Sequence, residues 1–501
     1  MISNFCVRLL RRLPPAALTL ALLTLAAVSA LGQTDQGRIS GRVLDSNGAA
    51  IAGATVTVTN DRTGEQRTAT TDGNGVYFVA ALKASSYSVT VNAGGFAAGE
   101  AKNQTLSVGQ ALNLDITLAP EGATSVVDIV ASSEAINTSS ASMSATVNQR
   151  EVQDLPVNGR QVSQLYLQAP GSVNSGSGTF GDIRFSGRAV QQNVIRYDGV
   201  EGTAIIDASP GNLNGEVPSP FRLQSSLENI QEFKVESNNF PAEFGTGTGG
   251  QITIVTKSGS NAFHGSVFEY LRNDALDARN FFDLQNVSPL RLNQFGFSVG
   301  GPIIKNKLFF FSDWERTTRR RAVTALRTVP TAAMRSGNFN GTGTTLYDPG
   351  TGAANGTGRT PFPNNTIPTS LMDPASVYMQ NLIPQPNQPV FPNNYLAVGR
   401  YTALRDNVDF KVNYNPNTKL QLFGRYSFSP YEFFDPPSLG DALGDATGGG
   451  QPGRAPGLIQ TAGVGGTYAF SPTILLDANV GYTRLALSAQ NIDLGKNYGL
   501  D

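Results

Sequence analysis

Cysteine and histidine are nearly missing from this chain, which holds one of each, Cys6 and His264, in 501 residues. Cys6 lies in the N-terminal segment read below as a leader, so the mature chain would have no disulfide, thiolate nucleophile or lipidated terminal cysteine. A zinc site or a Ser-His-Asp triad would have to be built around His264 alone, and the chain is read as a non-enzyme without metal or cofactor. Charge of one sign is lacking too: 37 Lys and Arg against 38 Asp and Glu leave a net charge of −1. That removes the electrostatic footprint of a nucleic-acid binder. Long apolar runs are scarce; the one from Ala16 to about Ala30 falls short of the roughly 20 residues a membrane helix needs. A β-barrel remains open, because its strands alternate outward apolar with inward polar residues.

Arg8, Arg11 and Arg12 precede the apolar run, and small residues end it, so residues 1–30 read as a secretory signal peptide. Cleavage after Ala30, within Val28-Ser29-Ala30, is preferred to cleavage after Gly32. The length suggests roughly three domains at about 150 residues each, and 54 glycines point to many turns.

Residues 36–120 carry short alternating segments: Ile39 to Val43, Ala54 to Thr59, Val76 to Leu82, Tyr87 to Val91 and Leu112 to Leu118. Strands at this spacing predict a β-sandwich. Asp72-Gly73-Asn74-Gly75, between Thr70 and Val76, is the strongest hairpin signal, since Gly and Asn tolerate positive φ. GRVLDSNGAAIAGATVTVTN, TDGNGVYFVAAL and YSVTVNAGGF resemble the carboxypeptidase regulatory-like domain. The resemblance implies a non-catalytic, transthyretin-like sandwich, for which carbohydrate binding is a fold-level analogy only.

From 148 to 256, the segments EVQDLPVNGRQVSQLYLQAPG, IRFSGRAVQQNVIRYDGV and LENIQEFKVESNNFPAEFGTGTGGQITIVTKSGSNAFHG resemble, in order, the plug of the Oar-like branch of TonB-dependent transporters. The resemblance implies a soluble α/β domain filling a polar lumen. Asn193 to Val200, closed by Tyr197-Asp198-Gly199, reads as a strand and turn, and Ile252 to Val255 as the last strand. Gly245, Gly247 and Gly250 satisfy G-x-G-x-x-G but run directly into that strand, so they read as a mobile plug loop and not a nucleotide site. Residues 121–147 read as a linker that contains a β-prone patch, Val126, Val127, Asp128, Ile129 and Val130. Such a segment can add to a partner's sheet edge. It is a candidate TonB box, with the first plug strand as the alternative.

After Lys257 the chain alternates with period two in segments of about ten residues, the length of a tilted membrane strand. Val408, Phe410, Val412 and Tyr414 alternate with Asn407, Asp409, Lys411 and Asn413, and Leu420, Leu422, Tyr426 and Phe428 with Gln421, Arg425 and Ser427. Strands are expected near 263–272, 291–301, 307–316, 404–414, 419–428, 460–470 and 474–484, with short turns at 302–306, 415–418 and 471–473 and long loops elsewhere. That sorting of loops is the pattern of an outer-membrane barrel. LNQFGFSVGGPIIKNKLFFFSDWE again resembles the Oar-like barrel, and Phe309, Phe310, Phe311 and Trp314 are assigned lipid-facing or interfacial roles. Arg316, Arg319, Arg320 and Arg321 are expected at the start of an external loop, as a solvated charge run.

The fold expected is mainly β: a transthyretin-like sandwich, an α/β plug, and, over 257–501, the first strands of a truncated transmembrane barrel. Seven strands are fewer than the even number, at least 8, of a single-chain barrel, so strand 474–484 is expected to leave an open edge. Expected partners are a TonB complex, outer-membrane lipid and an extracellular ligand that is a carbohydrate, peptide or iron chelate. A surface adhesion or carbohydrate-binding protein without transport is the alternative.

Overall fold

Alternation of apolar and polar residues builds three β-units in succession. The computed structural model describes residues 36–121, 141–174, 183–189, 192–202, 225–241, 244–279, 287–447, 452–471 and 474–498.

The first unit contains β1 (Gly37–Asp45), β2 (Thr55–Asn60), β3 (Gln66–Thr70), β4 (Val76–Leu82), β5 (Ser85–Asn92), β6 (Gly99–Leu106), β7 (Ala111–Asn113) and β8 (Ile116–Leu118). One sheet runs β4-β1-β7, with β8 also on β1, and the other runs β3-β2-β5-β6. Ile39, Val43, Val56, Val58, Tyr77, Val89, Val91 and Ile116 form the dry layer between them. Two sequence expectations change here. The Asp72–Gly75 turn is tight, with the Asp72 carboxylate accepting from Asn74 N and Val76 N, but it joins β3 and β4 in different sheets and is no hairpin. Leu112–Leu118 is two strands, because the chain bends at Leu114 over Gly41. A Cβ on Gly41 would lie 2.0 Å from Leu114 O, and Tyr77 Oη donates to that same carbonyl at 2.7 Å.

The central unit holds β9 (Met143–Val147), α1 (Gln149–Asp154), β10 (Ser172–Asn174), β11 (Ile183–Phe185), β12 (Val194–Tyr197), β13 (Val200–Glu201), β14 (Ile230–Asn238) and β15 (Gln251–Thr256). Asn148 and Glu151 cap α1 reciprocally, satisfying the otherwise unpaired N–H groups of Asn148, Arg150 and Glu151. The sheet order is β13-β12-β15-β14-β9, parallel between β12 and β15. Tyr166 and Phe233, both buried, meet edge-on at 5.3 Å under it.

The third unit is a meander of β16 (His264–Asn273), β17 (Leu290–Ile304), β18 (Leu308–Arg327), β19 (Tyr395–Tyr414), β20 (Leu420–Asp435), β21 (Gly453–Ser471) and β22 (Ile474–Leu487), with β23 (Gln490–Asn491) against β21. Every neighbouring pair is antiparallel. Among the described residues β16 and β22 do not pair, so the barrel is not closed and the sheet is a curved wall. One face shows Phe410, Val412, Val464, Ile474, Leu476 and Val480 to the outside; the other buries Asp313, Glu315, Asn407, Asp409, Lys411, Arg425 and Ser427. Several strands outrun their expected ends, β18 to Arg327 and β19 back to Tyr395. Alternation detects only the lipid-exposed part of a strand, whereas backbone pairing continues beyond it.

Two aromatic assignments need correction. Phe309 and Phe311 point inward and are buried, at 0 % and 2 % exposure. Consecutive strand residues face opposite sides, so of the three phenylalanines only Phe310 shares the outer face with Trp314. The arginines expected in a loop lie within β18, Arg316 and Arg320 on its outer face and Arg319 and Arg321 on its inner one.

Candidate functional site

The interface between the central unit and the inner face of the wall gathers most of the buried charge. Its centre is the tip of the β12–β13 hairpin. Asp198 and Gly199 have φ of 47° and 79°, the two-residue turn that Asp-Gly favours because both central positions need positive φ. The turn carries the Asp198 carboxylate to the wall, where Lys411 Nζ donates to Oδ1 at 2.9 Å and Arg425 Nη1 lies 3.8 Å from Oδ2. Lys411 and Arg425 are directly opposite in the β19–β20 register, an arrangement that is destabilising for like charges. Asp198, entering from another unit, supplies the counter-charge. Thr256 N and Oγ1 donate to the same carboxylate at 3.0 and 2.5 Å, and Lys411 Nζ also donates to Thr256 O at 3.0 Å. Burial by itself pushes the Asp198 carboxyl up, but Lys411, Arg425 and the Thr256 hydroxyl outweigh it and hold it below the usual carboxylate range.

A second bridge is built on Arg160. Its guanidinium reaches Glu228 at 3.3 Å and Glu315 of β18 at 3.4 Å, and lies over Phe268 and Tyr270 of β16, 4.6 and 4.3 Å from their centroids. A planar guanidinium can take carboxylates at its edge and rings on its faces at once. Nearby, Gln294 Nε2 donates to Gly159 O at 3.1 Å. A third contact is steric: a Cβ on Gly481 or Gly463 would come within 2.2 or 2.8 Å of the Val200 side chain. These wall glycines make room for the hairpin.

The sandwich lies against the end of the wall that carries the short turns. Asn415, between β19 and β20, donates to Glu65 at 3.0 Å. Asn261 N donates to Arg62 O at 3.0 Å, and Gln36 Nε2 to Asp477 at 2.8 Å and Thr467 at 3.1 Å. On the central unit, the β14–β15 register slips between Ile230 and Glu232. Gln231 then donates to Ala84 O at 2.7 Å and Glu232 accepts from Val108 N. Burial pushes the Glu232 carboxyl up to about 7, against the lowering effect of the Val108 N–H.

Other residues singled out in the sequence have simpler roles. The glycines at 245, 247 and 250 lead straight into β15; a Cβ on Gly250 would meet the Phe185 ring at 2.4 Å, so this loop is packed into the unit. His264 Nδ1 lies 3.1 Å from Ala262 O. Among the described residues no cluster of His, Cys, Asp and Glu is placed to hold a metal ion. Val126 to Val130 fall outside the described residues. Asp198, Lys411, Arg425, Arg160 and Glu315 were not recognised as a site from sequence. The available signal was charge at inward strand positions, since a buried charge requires a partner.

Comparison with known proteins agrees with this architecture. Residues 255–500 match the outer membrane beta barrel domain family, and residues 38–119 the carboxypeptidase regulatory-like domain family. The TonB-dependent transporter Oar of Myxococcus xanthus is 28 % identical over 314 residues, covering 58 % of this chain and 28 % of the relative. The chain thus spans little more than a quarter of the length of the curated relative it matches. Similar solved structures include a ferric enterobactin receptor of Pseudomonas aeruginosa, 14 % identical with TM-score 0.43 over 68 % of this chain and 41 % of that one. The outer membrane transporter YddB of Escherichia coli is 11 % identical with TM-score 0.43 over 68 % and 39 %. This chain is a homologue of the TonB-dependent transporter Oar, with a carboxypeptidase regulatory-like domain ahead of an outer-membrane β-barrel domain.

Proposed function

We propose that the protein is an outer-membrane receptor for energised uptake of a bulky ligand, in which the central unit, residues 148–256, is the plug. Residues 1–30 act as the export signal, and the linker 121–147 presents Val126 to Val130 to a TonB complex. The observation that carries this reading is the Asp198 bridge to Lys411 and Arg425. A domain held inside a wall by a few buried ionic contacts is closed at rest, yet withdraws without unfolding the wall. The sandwich sits at the short-turn end, which supports its placement in the periplasm, because barrels keep their short turns there. The longer connections at the opposite end offer the surface for a carbohydrate, peptide or iron chelate.

The linker reading is testable with single cysteines, since Cys6 is the only cysteine among these 501 residues. Val127→Cys and Ile129→Cys in the full-length protein are expected to form disulfides with a cysteine-bearing TonB periplasmic domain. Ser107→Cys and Thr117→Cys in the sandwich are not. Equal cross-linking at all four positions would refute the assignment.

A further inference from the structure

The outer face of the wall carries an arginine cluster that the plug contacts do not use. Arg291 and Arg320 are directly opposite in the β17–β18 register. Thr402 is opposite Arg320, and Arg400 opposite Ala322, which puts Arg400 one diagonal step away, about 7–8 Å between Cα atoms. All three side chains are exposed. They line a recess of about 400 Å³ with Ala322 and Val398. Like charges side by side across strands repel, and among the described residues none of the three has an ion-pair partner. Asp274 also lines the recess, but its Oδ1 accepts from Leu290 N at 3.1 Å. Lower on the same face, Arg316 is paired with Asp406 at 2.8 Å, and Trp314 Nε1 donates to that carboxylate at 2.9 Å. There a carboxylate meets the guanidinium directly; among the described residues none comes within ion-pair distance of Arg291, Arg320 or Arg400.

The height of the cluster decides what could supply that charge. On β19 the outward residues Tyr414, Val412, Phe410, Val408 and Leu404 form the apolar band, interrupted only by Asp406, whose charge is paired with Arg316. Ten residues of a strand tilted by about 40° span roughly 25 Å, the height of the apolar belt of an outer-membrane barrel. Thr402, Arg320 and Arg291 form the next outward row, on the side away from the short turns. That is headgroup level in the outer leaflet.

We propose that this recess binds the phosphate groups of a phosphorylated glycolipid of the outer leaflet, the guanidinium groups taking the phosphates and Val398 lying against the lipid body. Guanidinium–phosphate contacts are charge-assisted and geometrically matched. The proposal requires only that the wall sits in the outer membrane, and it holds whether or not the protein transports.

The test uses the full-length protein in detergent, with bisphosphorylated lipid A, fully dephosphorylated lipid A and inorganic phosphate as probes. Wild type is expected to retain bisphosphorylated lipid A and to release the dephosphorylated form. The variants Arg291→Gln, Arg320→Gln and Arg400→Gln should each weaken binding about tenfold, while Arg454→Gln, on the same face but ion-paired with Glu432, should change it less than twofold. Unheated electrophoretic mobility confirms that each variant has a folded barrel. Equal binding of the dephosphorylated lipid, or an equal loss with Arg454→Gln, would overturn the proposal. Full displacement by millimolar inorganic phosphate would show a free-anion site and overturn the lipid assignment.

Discussion

Replacing Asp198 by Asn keeps the side chain's shape and removes its charge, leaving Lys411 and Arg425 facing each other without a counter-ion. The three side chains are 5 %, 8 % and 2 % exposed, so water cannot screen the loss. Removing one partner of a buried ion pair costs about 3–5 kcal/mol. Lys411 would keep its bonds to Thr256 O and Oγ1, which places the expected cost near the lower end. About 3 kcal/mol corresponds to roughly a hundredfold increase in the population of the displaced central unit. Hydrogen exchange of the protein in detergent should therefore show protection of 194–201 and 251–256 falling about a hundredfold, with β18–β20 unaffected. Lys411→Met in the Asp198→Asn background should recover part of the loss, since it removes one of the two stranded cations. Protection in Asp198→Asn within threefold of wild type would refute the view that this bridge holds the unit in place.

Acid should act in the same direction. The Asp198 carboxyl is held below its ordinary range in the folded state, so its stabilisation is present above the unfolded value of about 3.9 and is lost as pH falls through the folded value. The same exchange measurement, made below pH 4, reads this as falling protection of 194–201. Glu232 has the opposite sign: its carboxyl is raised to about 7 in contact with the sandwich, so docking is favoured by protonation and weakens as pH rises from the ordinary carboxylate range towards 7. Cross-linking efficiency between sandwich and central unit should fall over that window, and Glu232→Gln should flatten the profile. Gly481→Ala would drive a methyl to within 2.2 Å of Val200 and should destabilise the contact between the central unit and the wall by about 1–3 kcal/mol. Val200→Ala in the same chain should restore exchange protection. Gly41→Ala brings a Cβ to 2.0 Å from Leu114 O and should lower the sandwich's thermal midpoint, measured by circular dichroism on the full-length protein.

Much of the fold was legible because strand periodicity is local. Val408 to Tyr414 and Leu420 to Phe428 state their two faces in consecutive residues, and the Asp-Gly turn at 198–199 states its own geometry. Two expectations failed where a local signal was asked a global question. The Asp72–Gly75 turn is as tight as its residues require, but only packing decides whether the following strand stays in the same sheet. The run Phe309-Phe310-Phe311 is apolar throughout, and hydropathy alone could not show that two of its three rings turn inward.

The sequence by itself determined which residues form strands, which face of each is apolar, and that three β-units follow one another, since these properties depend on neighbours a few positions away. Only the tertiary structure decided that Asp198 stands between Lys411 and Arg425, more than 200 residues further along, and that Arg291, Arg320 and Arg400 come together on one face and line one recess. Charge pairs of that kind are made by strand register and by the docking of one unit inside another. No local pattern encodes a register, so both sites become visible only once the strands are aligned.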